Sequence, residues 1–372
     1  GTGHAVKQAA PYLPDTGKTL VLYADVPLIS TASLNKLIKS AQRKKISILT
    51  SKITKPKGYG RIIRDEKMNP TNIREEADAS TQEKTINEIF TGIMIADNEF
   101  LKNGLKGLVR NNKAGEYYLT DLVEYASKRK LPIGSTEAKE LEVFGANNKK
   151  ELEGLYNAMV ALNIDAAKKK GTFFKDTSTC YVEGVLKVGK DVSIGNNVTI
   201  KGNVVLGNDV SIGSNVVLSN TKIGSNSTIK EFCSIEDSKI AENVEVGPFA
   251  RLRNGAVLDS SAKIGNFVEV KKSRIGQNTK ANHHAYIGDA DIGKKSNIGA
   301  GTITCNYDGE NKHKTKIGDS VFIGSNSSLV APLKVGKKSY VAAGSVVTSD
   351  VPAGSLAFGR AKQKNKSNWK KK

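Results

Sequence analysis

The sequence predicts an α/β domain followed by a parallel β-helix, and three observations carry that reading. Apolar runs of strand length alternate with helical patterns in the first 149 residues. One long amphipathic segment follows. From there as far as Val347, an aliphatic residue recurs at every sixth position in successive runs separated by slips.

In the first part, Leu20-Val21-Leu22-Tyr23 and Ile46-Ser47-Ile48-Leu49 are strand-like, and Ser33 to Gln42 carries a helical pattern between them. Strands alternating with helices predict a layered α/β domain over 1–149 with a mostly parallel sheet. Residues 150–170 predict a helical linker. Leu152, Leu155, Met159, Leu162 and Ala166 fall at helical spacing and form one apolar stripe. Lys168, Lys169 and Lys170 sit where a helix C-terminus favours cations, and Gly171 follows as the residue that ends the helix.

Residues 171–372 hold the hexad pattern. It runs Val182, Val188, Ile194, Ile200, Leu206, Ile212, Leu218, slips by one residue to Ile223, Ile229, Ile235, and resumes as Ile240, Val246, Leu252, Leu258, Ile264, Val270. A last run is Ile317, Ile323, Leu329, Val335, Val341, Val347. A period of six fits neither an α-helix nor an amphipathic strand. It fits a chain that turns a corner every six residues with one inward aliphatic per flat side. Three sides give coils of about 18 residues stacked ~4.8 Å apart, so Val182 to Val347 predicts about nine coils and a prism roughly 43 Å long. Asn- and Gly-rich corners permit the tight turns. The stretch Thr304–Lys316 breaks the rhythm and predicts a loop thrown off one face.

Composition narrows the function classes. No apolar run approaches the ~20 residues of a membrane span, and no charged-then-apolar leader opens the sequence. Cys180, Cys233 and Cys305 are dispersed, which predicts reduced thiols and a cytoplasmic setting. Four histidines offer little for a zinc site. The formal charge of +20 is scattered along the chain, with a dense lysine cluster over 362–372. No basic helix with interleaved aromatics accompanies it. Nucleic acid is therefore not an expected partner, and the charge predicts a solvated surface that attracts phosphorylated ligands.

The candidate chemistry lies in the β-helix. Its interior is aliphatic, so charged residues must point outward. Arg253 and Lys271 lie 18 residues apart, one coil, and should stack on one face, where an anion between them would relieve their repulsion. His283 and Tyr286 fall within the next coil. An imidazole there can accept a proton near neutral pH.

The strings GPFARLRNGA (247–256), IGNFVEVKKSRIG (264–276), TKANHHAYIGDADIG (279–293) and NIGAGTITCNYDGENKHKT (297–315) resemble the bifunctional N-acetylglucosamine-1-phosphate uridyltransferase/glucosamine-1-phosphate acetyltransferase family, and the similarity extends over the whole chain. It implies an incomplete Rossmann-like nucleotidyltransferase domain followed by a left-handed β-helix of hexapeptide repeats, which assembles as a homotrimer. It implies acetyl transfer from acetyl-CoA to the amine of glucosamine-1-phosphate. His283 is then the general base and Glu269 a residue that orients it. Arg253 and Lys271 hold the phosphate, and Tyr286 and Asn297 the sugar. Ala300, Asn306, Tyr307, Ser325, Ala343 and Arg360 correspond to acetyl-CoA positions, and backbone N–H groups near Ala300 to an oxyanion donor.

The N-terminal half resembles the later part of the uridyltransferase domain, which joins UTP to the acetylated sugar to give UDP-N-acetylglucosamine for peptidoglycan and lipopolysaccharide. Gly1, Thr2, Tyr23, Ala24, Asp25, Gly60, Glu75 and Asn147 match its UDP-sugar positions, with Asp25 and Asn147 as the magnesium ligands. Ala24, Ala77 and Phe90 replace a glycine, a lysine and an asparagine of the family pattern. The sequence opens at the GTGHA string, after the family's Gly-rich loop and catalytic lysine, so uridyl turnover is not expected from these residues. Two alternatives are a non-catalytic trimeric β-helix assembly protein and a different hexapeptide acyltransferase.

Overall fold

A computed structural model describes residues 1–367 and 369. The chain divides into two compact units, Gly1–Ala158 and Met159–Lys372. Part of the lysine cluster over 362–372 lies outside the described residues.

The first unit runs α1 (Thr2–Ala9), β1 (Lys18–Val21), α2 (Thr31–Ser40), β2 (Ile46–Lys52), β3 (Arg61–Arg64), β4 (Pro70–Arg74), β5 (Glu88–Asp97), α3 (Asn98–Lys106), α4 (Asp121–Lys128) and β6 (Ile133–Glu137). The helix expected at 33–42 starts where Ser30 caps it, its Oγ accepting from the Ser33 N–H at 3.1 Å. The sheet has the order β4-β3-β5-β2-β6, with β1 on β5. It is not mostly parallel: β2 and β6 pair parallel, whereas β1/β5, β2/β5, β3/β4 and β3/β5 are antiparallel. The reason is local. β3 returns as β4 through the Asp65–Asn69 turn, and such a short connection closes only an antiparallel pair. Ile46, Ile48, Met94 and Leu101 in one cluster and Leu37, Leu49, Ile89 and Ile93 in another bury the sheet's two faces.

α5 (Lys149–Lys168) spans the boundary between the units. Its buried stripe is Leu155, Val160, Ile164 and Ala167, while Leu152 and Leu162 are exposed. The expected stripe is thus rotated: two sets of apolar residues share the helical spacing, and tertiary packing selects one. Gly171 follows the helix as expected, in left-handed backbone at φ +93°.

The second unit is a parallel β-helix. Every aliphatic of the hexad run is buried except half-buried Val188. Coils pair in parallel, Ile194 with Ile212 and Leu252 with Val270 for example. Corners adopt left-handed backbone in pairs six residues apart, as at Asp191 and Asn197, Asp209 and Asn215, and Asn220 and Asn226. Glycines follow the aliphatics because coils approach closely there: a β-carbon on Gly265 would lie 1.8 Å from the Asn282 carbonyl oxygen. One corner departs from small residues. Phe232, Phe249 and Phe267 hold φ of +60°, +55° and +56° and stack with centroids 4.8 and 5.2 Å apart. Cys180 and Cys233 are buried and Cys305 half-buried, all as free thiols. Among the described residues no helix is long and apolar enough to cross a membrane.

Candidate active site

On one wall of the β-helix, Arg251-Leu252-Arg253 pairs with Glu269-Val270-Lys271, which pairs with Tyr286-Ile287-Gly288. Inward Leu252, Val270 and Ile287 alternate with outward neighbours, so Arg253, Lys271 and Gly288 form one outward column and Arg251, Glu269 and Tyr286 another. The expected stacking of Arg253 on Lys271 is present. Gly288 leaves its place in the first column empty, and Tyr286 fills it: a β-carbon on Gly288 would lie 2.5 Å from the Tyr286 hydroxyl. The structure therefore brings Arg253, Lys271 and Tyr286 together.

Arg253 Nε donates to Glu269 Oε1 at 2.6 Å. That carboxylate is thereby directed to the arginine, and His283 contacts a different residue. His283 lies beside Asn266 in the strand register, and its Nδ1 is 2.9 Å from Asn266 Oδ1. An amide oxygen only accepts, so Nδ1 is the donor of this contact, and in the neutral form of the ring the free lone pair is then on Nε2. Sequence reasoning missed Asn266. The signal was present in the slipped hexad, because this coil is 17 residues long and sets 266 against 283.

His283 precedes a left-handed corner residue, His284 at φ +38°. Following the register upward, His283 sits under Ala300, since Lys280 pairs with Asn297 and Tyr286 with Ile303. Ala300 sits under Ser325, since Asn297 pairs with Phe322 and Ile303 with Ser328. Ser325 sits under Ala343, since Phe322 pairs with Tyr340 and Ser328 with Val346. Three expected cofactor positions thus form one corner column that starts at His283. Val341 pairs with Ala357, which brings Gly359, and Arg360 after it, to the column's far end. Four coil steps from His283 span roughly 19 Å. The Gly301 N–H is engaged by the His284 carbonyl at 2.7 Å, which removes one candidate oxyanion donor.

Asn297 lies on the wall across this corner, above Lys280 and below Phe322, and does not join the Arg253–Lys271–Tyr286 group within the chain. Asn306 is nearly buried and donates from Nδ2 to Asp289 Oδ2 at 2.6 Å. Tyr307 is exposed on the inserted loop. That loop is internally braced: Tyr307 pairs with Lys312, and Asp308 accepts from the Glu310 and Asn311 N–H groups and contacts His313. These contacts hold the Asp308 carboxyl well below its usual range, the Asn311 N–H foremost.

In the first unit, Tyr23, Asp25, Gly60, Glu75 and Asn147 line one cavity of about 680 Å³. Thr2 and Ala24 line a neighbouring cavity that Tyr23 and Asp25 share. Gly1 lies outside both lining sets, its amino group 3.5 Å from Glu116. Glu75 is pushed up mainly by burial, and accepts from Thr120 Oγ1 at 2.9 Å. Phe90 forms an apolar part of the cavity wall. Among the described residues no cluster of three or more His, Cys, Asp or Glu could hold a metal ion. Magnesium needs less, since it keeps waters and takes oxygens from substrate phosphates. Asp25 and Asn147 supply oxygen donors to the cavity, and Gly145 keeps the space beside Asp25 Oδ2 clear, where a β-carbon would come within 3.3 Å. Those residues fit the ion.

Residues 179–265 match the model of the GMPPB C-terminal domain, and residues 314–349 the hexapeptide repeat of succinyl-transferase. Over its full length the chain is 46% identical to the bifunctional protein GlmU of Idiomarina loihiensis, covering 82% of that protein. It is 47% identical to the GlmU of Acinetobacter baylyi, again over all of this chain and 82% of the relative. For the GlmU of Nitrosomonas europaea the identity is 45%, covering 81%.

Proposed function

The chain belongs to the bifunctional GlmU family, and on that premise we propose that its β-helix transfers the acetyl group of acetyl-CoA to the amine of glucosamine-1-phosphate. The observation that carries this is the corner column from His283 through Ala300, Ser325 and Ala343 to Arg360. Small residues let the pantetheine arm lie along the backbone, and Arg360 meets a phosphate at the far end. The Arg253–Lys271 pair takes the sugar phosphate, and Tyr286 the sugar.

His283 Nε2 removes a proton from the sugar amine as its nitrogen attacks the thioester carbonyl carbon. The carbon–sulfur bond then breaks, and the imidazolium returns the proton to the leaving thiolate. Holding both reactants at one corner replaces a bimolecular encounter by a positioned one. Asn297 and the loop residues Asn306 and Tyr307 contribute once copies of the chain assemble as a homotrimer, which buries flat walls of the prism.

The cavity of the first unit is the corresponding site for UDP-N-acetylglucosamine. Asp25 and Asn147 there would hold magnesium, which neutralises phosphate charge when bound. The setting is cytoplasmic precursor synthesis for peptidoglycan and lipopolysaccharide.

The test is thiol release from acetyl-CoA with glucosamine-1-phosphate, with the acetylated product identified by mass. Unphosphorylated glucosamine should react far more slowly, because the cation pair then has no ligand. Equal rates with both acceptors, or no product, would overturn the reading.

A further inference from the structure

The coil that carries the inserted loop is longer than its neighbours. Asn297 pairs with Phe322, 25 residues on, where the coils on either side advance 17 and 18. The additional residues leave the wall after Cys305 and return at Thr315. Because the loop is braced by its own contacts, its two feet decide where Tyr307 points.

Both feet are tied to one residue. Asp289 Oδ2 accepts from Asn306 Nδ2 at 2.6 Å on the outgoing side. Its carbonyl accepts from the Thr315 N–H at 3.2 Å on the returning side. Its own N–H donates to the Lys271 carbonyl at 3.1 Å, in the strand that carries the phosphate-binding lysine. Asp289 is 5% exposed and Asn306 7%. A carboxylate that deep is retained only where hydrogen bonds compensate its lost hydration. It also holds left-handed backbone at φ +49°, which an aspartate tolerates. Lys272 Nζ, 3.8 Å away, is the nearby counter-charge. A neutral group would meet the packing requirement, whereas an anion gives the shorter, stronger bond that fixes the Asn306 amide in one orientation.

We propose that Asp289 is a positioning residue for acetyl-CoA binding: it clamps both feet of the inserted loop to the Lys271 strand and so aims Asn306 and Tyr307. The proposal rests on the reading of Tyr307 as an acetyl-CoA contact. Three variants, Asp289→Ala, Asp289→Asn and Tyr307→Ala, separate the two.

Steady-state kinetics for both substrates and amide exchange over 306–314 are measured on each full chain. Asp289→Ala should raise the KM for acetyl-CoA by roughly tenfold, quicken loop exchange, and leave the KM for glucosamine-1-phosphate as in the parent. Asp289→Asn should recover most of the lost affinity, because its amide oxygen still accepts from Asn306. An unchanged acetyl-CoA KM and unchanged exchange in Asp289→Ala would overturn the clamp. Equal KM increases for both substrates, unrescued by Asp289→Asn, would reduce Asp289 to a folding role and also overturn it. If Tyr307→Ala binds acetyl-CoA like the parent, the reading beneath the proposal fails, whereas the exchange result still decides the clamp.

Discussion

Asn266 Oδ1 lies 2.9 Å from His283 Nδ1 and is set opposite it by the strand register. The pair explains how an exposed imidazole can present Nε2 as a base without a buried carboxylate. Asn266→Ala should lower kcat by roughly tenfold to a hundredfold, as for other partners that orient a histidine. Asn266→Asp places a negative charge against the ring, which favours the imidazolium. The acid limb of its kcat/KM profile should therefore move to higher pH. An unshifted profile in Asn266→Asp would remove Asn266 from the mechanism.

Gly288 holds open the space that the Tyr286 hydroxyl occupies. Gly288→Ala should displace the tyrosine rather than unfold the coil, because the ring's far end can move. The expected outcome is a KM for glucosamine-1-phosphate raised by roughly tenfold, about 1.4 kcal/mol, at unaltered acetyl-CoA KM. Titrating each substrate against saturating partner decides it, and a parental acceptor KM would show that Tyr286 does not contact the sugar phosphate.

Leu252 is fully buried between Ile235 and Val270. Leu252→Ala should cost about 2–5 kcal/mol, the usual price of a core cavity. Urea unfolding followed by circular dichroism measures this. A loss of a few tenths would mean that the coil interior is not the tight stack described.

In the first unit, burial, then Glu124 and Glu75, push the Asp121 carboxyl up to about 6 from an ordinary 3.8. A carboxyl raised on folding contributes stability that is fully present below its unfolded value and lost as pH rises through the folded one. Asp121→Asn should therefore stabilise the first unit at pH ~8 and give no gain near pH ~4. Melting curves at both values test the sign, and a pH-independent difference would contradict it.

What the sequence made legible follows from geometry that spacing determines. Inward aliphatics, the Arg253–Lys271 stack and the loop at 304–316 all depend on coil length, which the hexads display. What it hid depends on side-chain direction. Glu269 and Asn266 are both within reach of His283 by number, yet only the corner geometry assigns Asn266 to the imidazole and Glu269 to Arg253. Asn306 reads as a loop residue, and its burial against Asp289 appears only when the loop's feet are placed. The mostly antiparallel pairing in the first unit's sheet is equally hidden, because strand periodicity does not say which strands are neighbours.

The most direct measurement of the central claim compares His283→Ala with His284→Ala in acetyl transfer to glucosamine-1-phosphate. The two imidazoles are adjacent and exposed, but only His283 stands in the corner column proposed for acetyl-CoA and contacts Asn266, while His284 occupies the corner itself. His283→Ala should lower kcat by roughly 10²- to 10⁴-fold with acetyl-CoA binding retained, and His284→Ala should stay close to the parent. Equal losses in the two variants, or parental turnover in His283→Ala, would place the base elsewhere and contradict the account.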